Sequence, residues 1–245
     1  MMHKLQMAPY MNPCKEILTP LSVDPDLADF DTSKYVFTDI SYGLSDRERS
    51  VVVRETDGTL KVAPWSVRER MNHIYNPRSG REYLTPKMFE EQHLEKIISE
   101  QRYLYILDRA CCQFEPDDVD YIRVTHRVYS AVNTAQAFHI LRSTRHFGPL
   151  AFYLAWNQSI DYLLLDIMNR DLISDAKDLI SLYCIIHPES RCSVAVSGLV
   201  DADVVSVVKA FIETDSKLKA QLELAVQAME DARKSKEKNE MTSNS

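Results

Sequence analysis

The sequence predicts an α+β protein, mainly α-helical, with a small N-terminal antiparallel sheet followed by packed antiparallel helices. Three observations predict it. Between residues 34 and 63, short runs rich in β-formers alternate with turn residues. From residue 64 onward, apolar residues recur mostly at helical spacing. Beyond residue 130 the breaks between helical runs are short, as antiparallel helix pairs require. The chain divides into an extended arm over 1–33, a sheet-plus-helices region over 34–130, a helical region over 131–232 and a disordered tail over 233–245.

The arm carries Pro9, Pro13, Pro20 and Pro25, which break any long helix. Strands are expected at Tyr35 to Ser41, Ser50 to Glu55 and Leu60 to Ala63, with Asp57-Gly58 as a hairpin turn that needs positive φ. Pro64 stops the last strand. Ser66 with Glu69 fits a capping box, and Val67, Met71, Ile74 and Tyr75 share one face of a helix that Asn76-Pro77 ends. Thr85-Pro86 opens the next helix. Leu104, Leu107, Cys111 and Phe114 repeat at helical spacing until Pro116. Tyr121 to Tyr129 reads as one more strand, with Ile122, Val124 and Val128 on one side. Helices then follow at 134–146, 149–157, 159–170, 172–187, 202–213 and 215–234, the last with an apolar stripe of Leu218, Leu222, Val226 and Met229.

Composition narrows the function classes. The 245 residues are 45% hydrophobic and 27% charged, as in an ordinary globular chain. The longest apolar runs, such as Pro149 to Trp156, are too short to cross a bilayer, so no membrane insertion is expected. The net charge of -7 is uneven: residues 1–33 carry 2 basic and 5 acidic side chains, 34–148 carry 17 and 16, and 149–245 carry 10 and 15. Contact with nucleic acid therefore has to come from a local patch. Five cysteines, an odd number without a secretory signal, point to a reducing compartment. The N-terminus lacks the arginine-rich, acid-poor character of a transit peptide.

The chemistry of catalysis is missing from the pattern. None of the five glycines makes a phosphate loop, a dinucleotide turn or a nucleophile elbow. No histidine sits at metal-ligand spacing with a cysteine. The expectation is a non-enzyme with no cofactor, metal or small-molecule substrate.

One window stands out. Residues 121–148 contain no Asp or Glu and carry Arg123, Arg127, Arg142 and Arg145, with His126, His139 and His146 among them. The guanidinium fork suits phosphate, and Tyr, Phe and His stack on unpaired bases. Arg123, His126, Arg127, Arg142, Arg145 and His146 are the candidate RNA-binding residues. On the residues alone, pairing of these arginines with acidic helices elsewhere in the chain is the favoured reading. A second basic set, Arg47, Arg49, Arg54, Lys61, Arg68, Arg70, Arg78 and Arg81, is interleaved with acids and gives a weaker signal.

Several stretches carry a family resemblance. They are K-Y-V-F-T-D-I-S from Lys34, R-E-R-S-V-V-V-R-E from Arg47, D-G-T-L from Asp57 and W-S-V-R-E-R-M-N-H-I-Y-N-P from Trp65. G-R-E-Y-L-T-P from Gly80, Q-F-E-P-D from Gln113, L-R-S-T-R-H-F-G from Leu141 and R-D-L-I-S-D-A from Arg170 complete them. In this order they resemble the mitochondrial small ribosomal subunit protein S twenty-two family over residues 30–190. The resemblance implies a non-catalytic protein of the mitochondrial ribosome in the matrix, although no transit peptide is visible. It implies small-subunit ribosomal RNA and other small-subunit ribosomal proteins as partners. A free-standing helical scaffold outside the ribosome is the alternative.

Overall fold

A computed structural model of the protein describes residues 11–13, 15–29, 32–46, 48–198 and 203–243, with side chains as far as Asp231. The chain forms two units, one of Asn12–Lys96 with Asp108–Ile122 and one of Ile97–Leu107 with Arg123 onward.

In the first unit, β1 (Pro20–Val23), β2 (Tyr35–Thr38), β3 (Val51–Arg54) and β4 (Thr59–Val62) make one antiparallel sheet in the order β1-β4-β3-β2. Three of these strands are those the sequence predicts. The fourth, β1, lies within the expected arm, of which residues 1–10 fall outside the described residues. Its Pro20 is tolerable because β1 is an edge strand. β2 is the opposite edge, and its Tyr35, Val36 and Phe37 are all exposed, as are Ile40 and Tyr42 just beyond it.

The β3–β4 turn explains Gly58. Glu55 N–H donates to the Thr59 carbonyl (2.9 Å) and Gly58 N–H to the Glu55 carbonyl (3.2 Å), closing a three-residue loop with Gly58 at φ +78°. A Cβ on Gly58 would stand 2.0 Å from the Asp24 carbonyl oxygen. Val51, Val53 and Ala63 form the sheet's core, covered by Val67 and Met71 of α1 (Trp65–Tyr75). The apolar face of α1 is narrower than expected, since Ile74 and Tyr75 are exposed. The capping box does not form. The helix starts at Trp65, which puts Ser66 inside the first turn, and Glu16 instead accepts the Trp65 N–H (2.9 Å).

A 3-10 turn at Lys87–Phe89, with Pro86 before it, leads into α2 (Glu91–Ser99) and α3 (Tyr103–Gln113). The expected strand over 121–129 is a helix, α4 (Val119–Ala135). Tyr121, Val124, Thr125, Val128, Tyr129, Ala131 and Val132 are its buried positions. They recur at helical intervals, and over nine residues the alternation of Ile122, Val124 and Val128 imitates a strand.

The expected helix over 134–146 is likewise not one element. α5 (Phe138–Leu141) is a single turn between α4 and α6 (Phe147–Trp156). Then follow α7 (Asp161–Asn169), α8 (Ile173–Ile186), α9 (Arg191–Ser197), α10 (Val204–Thr214) and α11 (Lys219–Ser243). α9 was not foreseen; Ser190 caps it by accepting the Ser193 N–H (3.0 Å). The backbone of α11 runs to Ser243, through the tail expected to be disordered from Arg233, because its Lys, Glu, Ala and Met are good helix formers.

Four helices end in the same way. After α2, α4, α6 and α7, the residues Gln101, Gln136, Gln158 and Asp171 adopt positive φ. Each donates to a carbonyl three residues back, and its successor to one five residues back, as with Gln136 to Asn133 (3.2 Å) and Ala137 to Val132 (3.1 Å). These are Schellman stops with no glycine in the left-handed position.

In the second unit α8 is central, packing against α6, α7, α9 and α10 through Ala176, Leu179, Ile180 and Tyr183. Buried Asp161 ties the start of α7 to the approach of α11. Its Oδ1 accepts from Ser216 Oγ (2.7 Å) and from Lys217 N–H (2.9 Å).

Two outcomes follow for stability. Gly58→Ala should lower it by at least the roughly 1–3 kcal/mol of a left-handed side-chain-bearing residue, and by more than Gly43→Ala, whose positive φ has nothing within 4 Å. Chemical denaturation of both variants checks the order. Asp161→Ala should cost about 1–3 kcal/mol for the buried donors it strands, whereas Asp161→Asn, which keeps an acceptor, should cost less.

Candidate nucleic-acid interface

α4 sorts the first half of the acid-free window. With one face buried, Arg123 and Arg127 fall on the exposed one, one turn apart, about 6 Å along the axis. His126 lies on the flank. It is half-buried, with its ring 4.8 Å from that of Tyr153 on α6. Loss of water around His126 holds its pKa below the ordinary histidine value, which favours the neutral ring at pH 7.

The segment 142–146, between α5 and α6, turns its basic residues in opposite directions. Arg142 reaches inward: Nη2 meets Asp166 of α7 at 2.7 Å, and the guanidinium lies 5.1 Å from the centre of the Phe147 ring. Ser143 takes φ +64°, and Thr144 Oγ1 donates to the Leu141 carbonyl (2.6 Å) while accepting from His146 N–H (3.3 Å). The segment is thereby pinned, with Arg145 exposed and His146 only 1% exposed. Of the six candidates, Arg123, Arg127 and Arg145 face outward. Arg142 is occupied by Asp166, and His146 is enclosed.

The second basic set turns largely inward within the first unit. Buried Arg49 donates to the carbonyls of Asp39 (2.7 Å), Ser41 (3.1 Å) and Leu44 (3.1 Å), holding that loop. Asp46 accepts from Arg78 (2.9 Å) and Arg81 (3.1 Å), and both arginines also meet Glu115. Arg68 donates to the Asp46 carbonyl (2.7 Å). Glu55 takes Lys34 and Lys61, whose hydrogen bonds hold its carboxyl below the usual range. Arg54 lies over the Tyr35 ring. Arg47 is outside the described residues.

The sequence reading passed over one feature of α6. Phe152 and Trp156, one turn apart, lie nearly parallel (26°) with ring centres 5.8 Å apart, and Trp156 is 50% exposed. The available signal was that the acid-free stretch does not stop at 148 but continues to Ile160.

The state of His126 gives a pH prediction. A histidine whose folded pKa is lowered binds fewer protons folded than unfolded, so its contribution to stability is present at high pH. That contribution should begin to fall as pH drops below about 6.5 and level off only beneath the folded pKa. An NMR titration of the ring should give a midpoint below the free value, and His126→Phe should remove this part of the dependence.

Comparison with known proteins adds a separate line. The family model described as "Mitochondrial 28S ribosomal protein S22" matches residues 1–188. The "Small ribosomal subunit protein mS22" of Bos taurus is 41% identical over 229 residues, covering 94% of this chain and 64% of the relative. The protein of the same name from Mus musculus is 39% identical over 228 residues, covering 93% and 63%. The chain thus spans a little under two thirds of the length of these relatives.

Proposed function

The chain belongs to the mitochondrial 28S ribosomal protein S22 family, and we propose from this that it is a structural constituent of the mitochondrial small ribosomal subunit. In this reading it works in the matrix without catalysis, linking small-subunit ribosomal RNA to neighbouring ribosomal proteins and so supporting mitochondrial translation. The family match carries the proposal, and the distribution of charge supports it. The outward side chains Arg123, Arg127 and Arg145 come from a window without a carboxylate and suit the RNA backbone. Elsewhere the sequence is acidic on balance. The groove between α10 and α11 is flanked by Glu213, Glu223, Glu230 and Asp231, with Lys209 bound to Glu230 (2.7 Å), and its acidic excess suits basic segments of neighbouring proteins. A chain that engages both kinds of partner raises the effective concentration of each for the other.

Two measurements test this. On a gradient of mitochondrial lysate the protein should co-sediment with the small subunit, and its depletion should reduce assembled small subunits before large ones and lower mitochondrial translation. Normal small-subunit levels with normal translation would sink the reading, and a protein confined to the light fractions would indicate the free scaffold. For the RNA contact, Arg123→Gln, Arg127→Gln and Arg145→Gln should each flatten the salt dependence of RNA binding by about one counterion. Arg142→Gln should leave that slope unchanged and instead lower the melting temperature, since it breaks the contact with Asp166.

A further inference from the structure

We propose that the C-terminal end of α6 is a stacking site for an unpaired RNA base, with Trp156 as the platform and Lys217 facing the adjoining phosphate. The inference rests on the ribosomal reading above but concerns a site outside the arginine window.

An indole is a large apolar surface, yet Trp156 leaves 50% of its own in solvent. It is held in a fixed plane: Phe152 lies nearly parallel to it one turn back on the same helix. Around it the helix end is dressed with hydrogen-bonding and cationic groups. His187 Nε2 meets the Ala155 carbonyl at 2.9 Å, so that nitrogen carries a proton. Lys217 Nζ donates to the Gln158 carbonyl (3.2 Å), which brings an exposed ammonium two residues from the indole. Asn157 donates its side-chain amide to the Tyr153 carbonyl (2.8 Å), and both Asn157 and Gln158, the next two residues of the chain, are exposed.

Charge selects the ligand. Residues 121–160 contain no carboxylate. The first one after them, Asp161, is 6% exposed and turned onto Ser216 and Lys217 N–H. An exposed aromatic ring with a lysine at the same helix end, on a stretch of chain whose own residues carry no carboxylate, favours a polyanion with a flat apolar face over an acid-bearing or purely apolar protein segment. Unpaired bases offer that face, whereas paired A-form helices hide it. The Schellman stop at Gln158 fixes where the helix ends and therefore where the ring sits.

The test uses the full chain carrying Trp65→Phe, which leaves Trp156 as the sole tryptophan of the two. Its fluorescence should be quenched, saturably, by a single-stranded oligoribonucleotide and not by a fully paired duplex of equal length. Anisotropy of labelled RNA should show Trp156→Ala weakening single-strand binding about 5- to 150-fold, the span of base–aromatic stacking. Trp156→Phe should keep most of the affinity, and Lys217→Gln should lower the salt slope by about one. Unchanged affinity in Trp156→Ala, equal quenching by the duplex, or no single-strand binding at all would overturn the proposal. So would a Trp156→Ala protein that leaves the subunit while binding RNA normally, because the ring would then serve a protein neighbour. If the unaltered protein fails to co-sediment with the small subunit, the ribosomal reading itself falls. If it co-sediments and Trp156→Ala binds RNA unchanged, only the stacking site falls.

Discussion

Scarcity of glycine is the constraint around which the helical part is built. A chain of many short helices has to leave each one abruptly, and the cheapest exit is a left-handed residue without a Cβ. Only five glycines are available in 245 residues, and none of them makes the stops after α2, α4, α6 or α7. Gln101, Gln136, Gln158 and Asp171 take the left-handed position instead, each against a penalty of about 1–2 kcal/mol. What offsets the penalty is the six-to-one and five-to-two hydrogen bonding of each stop, together with the burial beyond it. Ala137 after Gln136 is 4% exposed, and Ile160 two residues after Gln158 is fully buried. Helix lengths are thus set by which residues must be inside, and the local backbone yields to that demand.

Electrostatics follows the same logic of enclosure. Arg142 is held by Asp166, and Arg78 and Arg81 by Asp46 and Glu115, so these arginines are structural. A guanidinium among carboxylates is held by several charge-assisted hydrogen bonds at once. A chain of net charge -7 still presents Arg123, Arg127 and Arg145 at its surface, all three from a stretch with no carboxylate of its own. The acidity elsewhere is compatible with this, because the window itself contains nothing to oppose them.

How much of this was legible depended on the range of the cause. The hairpin at Gly58 and the end of α1 at Asn76 were readable because a few adjacent residues determine them. α4 was misread because the nine residues 121–129, rich in β-branched and aromatic side chains, satisfy both periods, and only the longer run to Val132 separates them. β1 was hidden by its Pro20, which an edge strand accommodates. The cap on α1 comes from Glu16, 49 residues away, so the local Ser66 and Glu69 motif could not reveal it. The same holds for the candidate site. That Arg123 and Arg127 share a face requires knowing α4 is a helix, and that Arg142 is spoken for requires Asp166, 24 residues on. Neither residue type nor spacing carries that information.

The edge strand β2 has a consequence for how the molecule behaves in a crowd of its own kind. Between Lys34 and Asp39 it presents Tyr35, Val36 and Phe37 to solvent, and Ile40 and Tyr42 extend the apolar run. Lys34 is bound to Glu55, so the usual device of a loose lysine guarding an open edge is partly spent. Among the described residues no strand lies beyond β2 in the sheet, and an edge with such side chains is a template for another strand. A single added charge on this short segment would therefore oppose edge-to-edge association of the isolated protein.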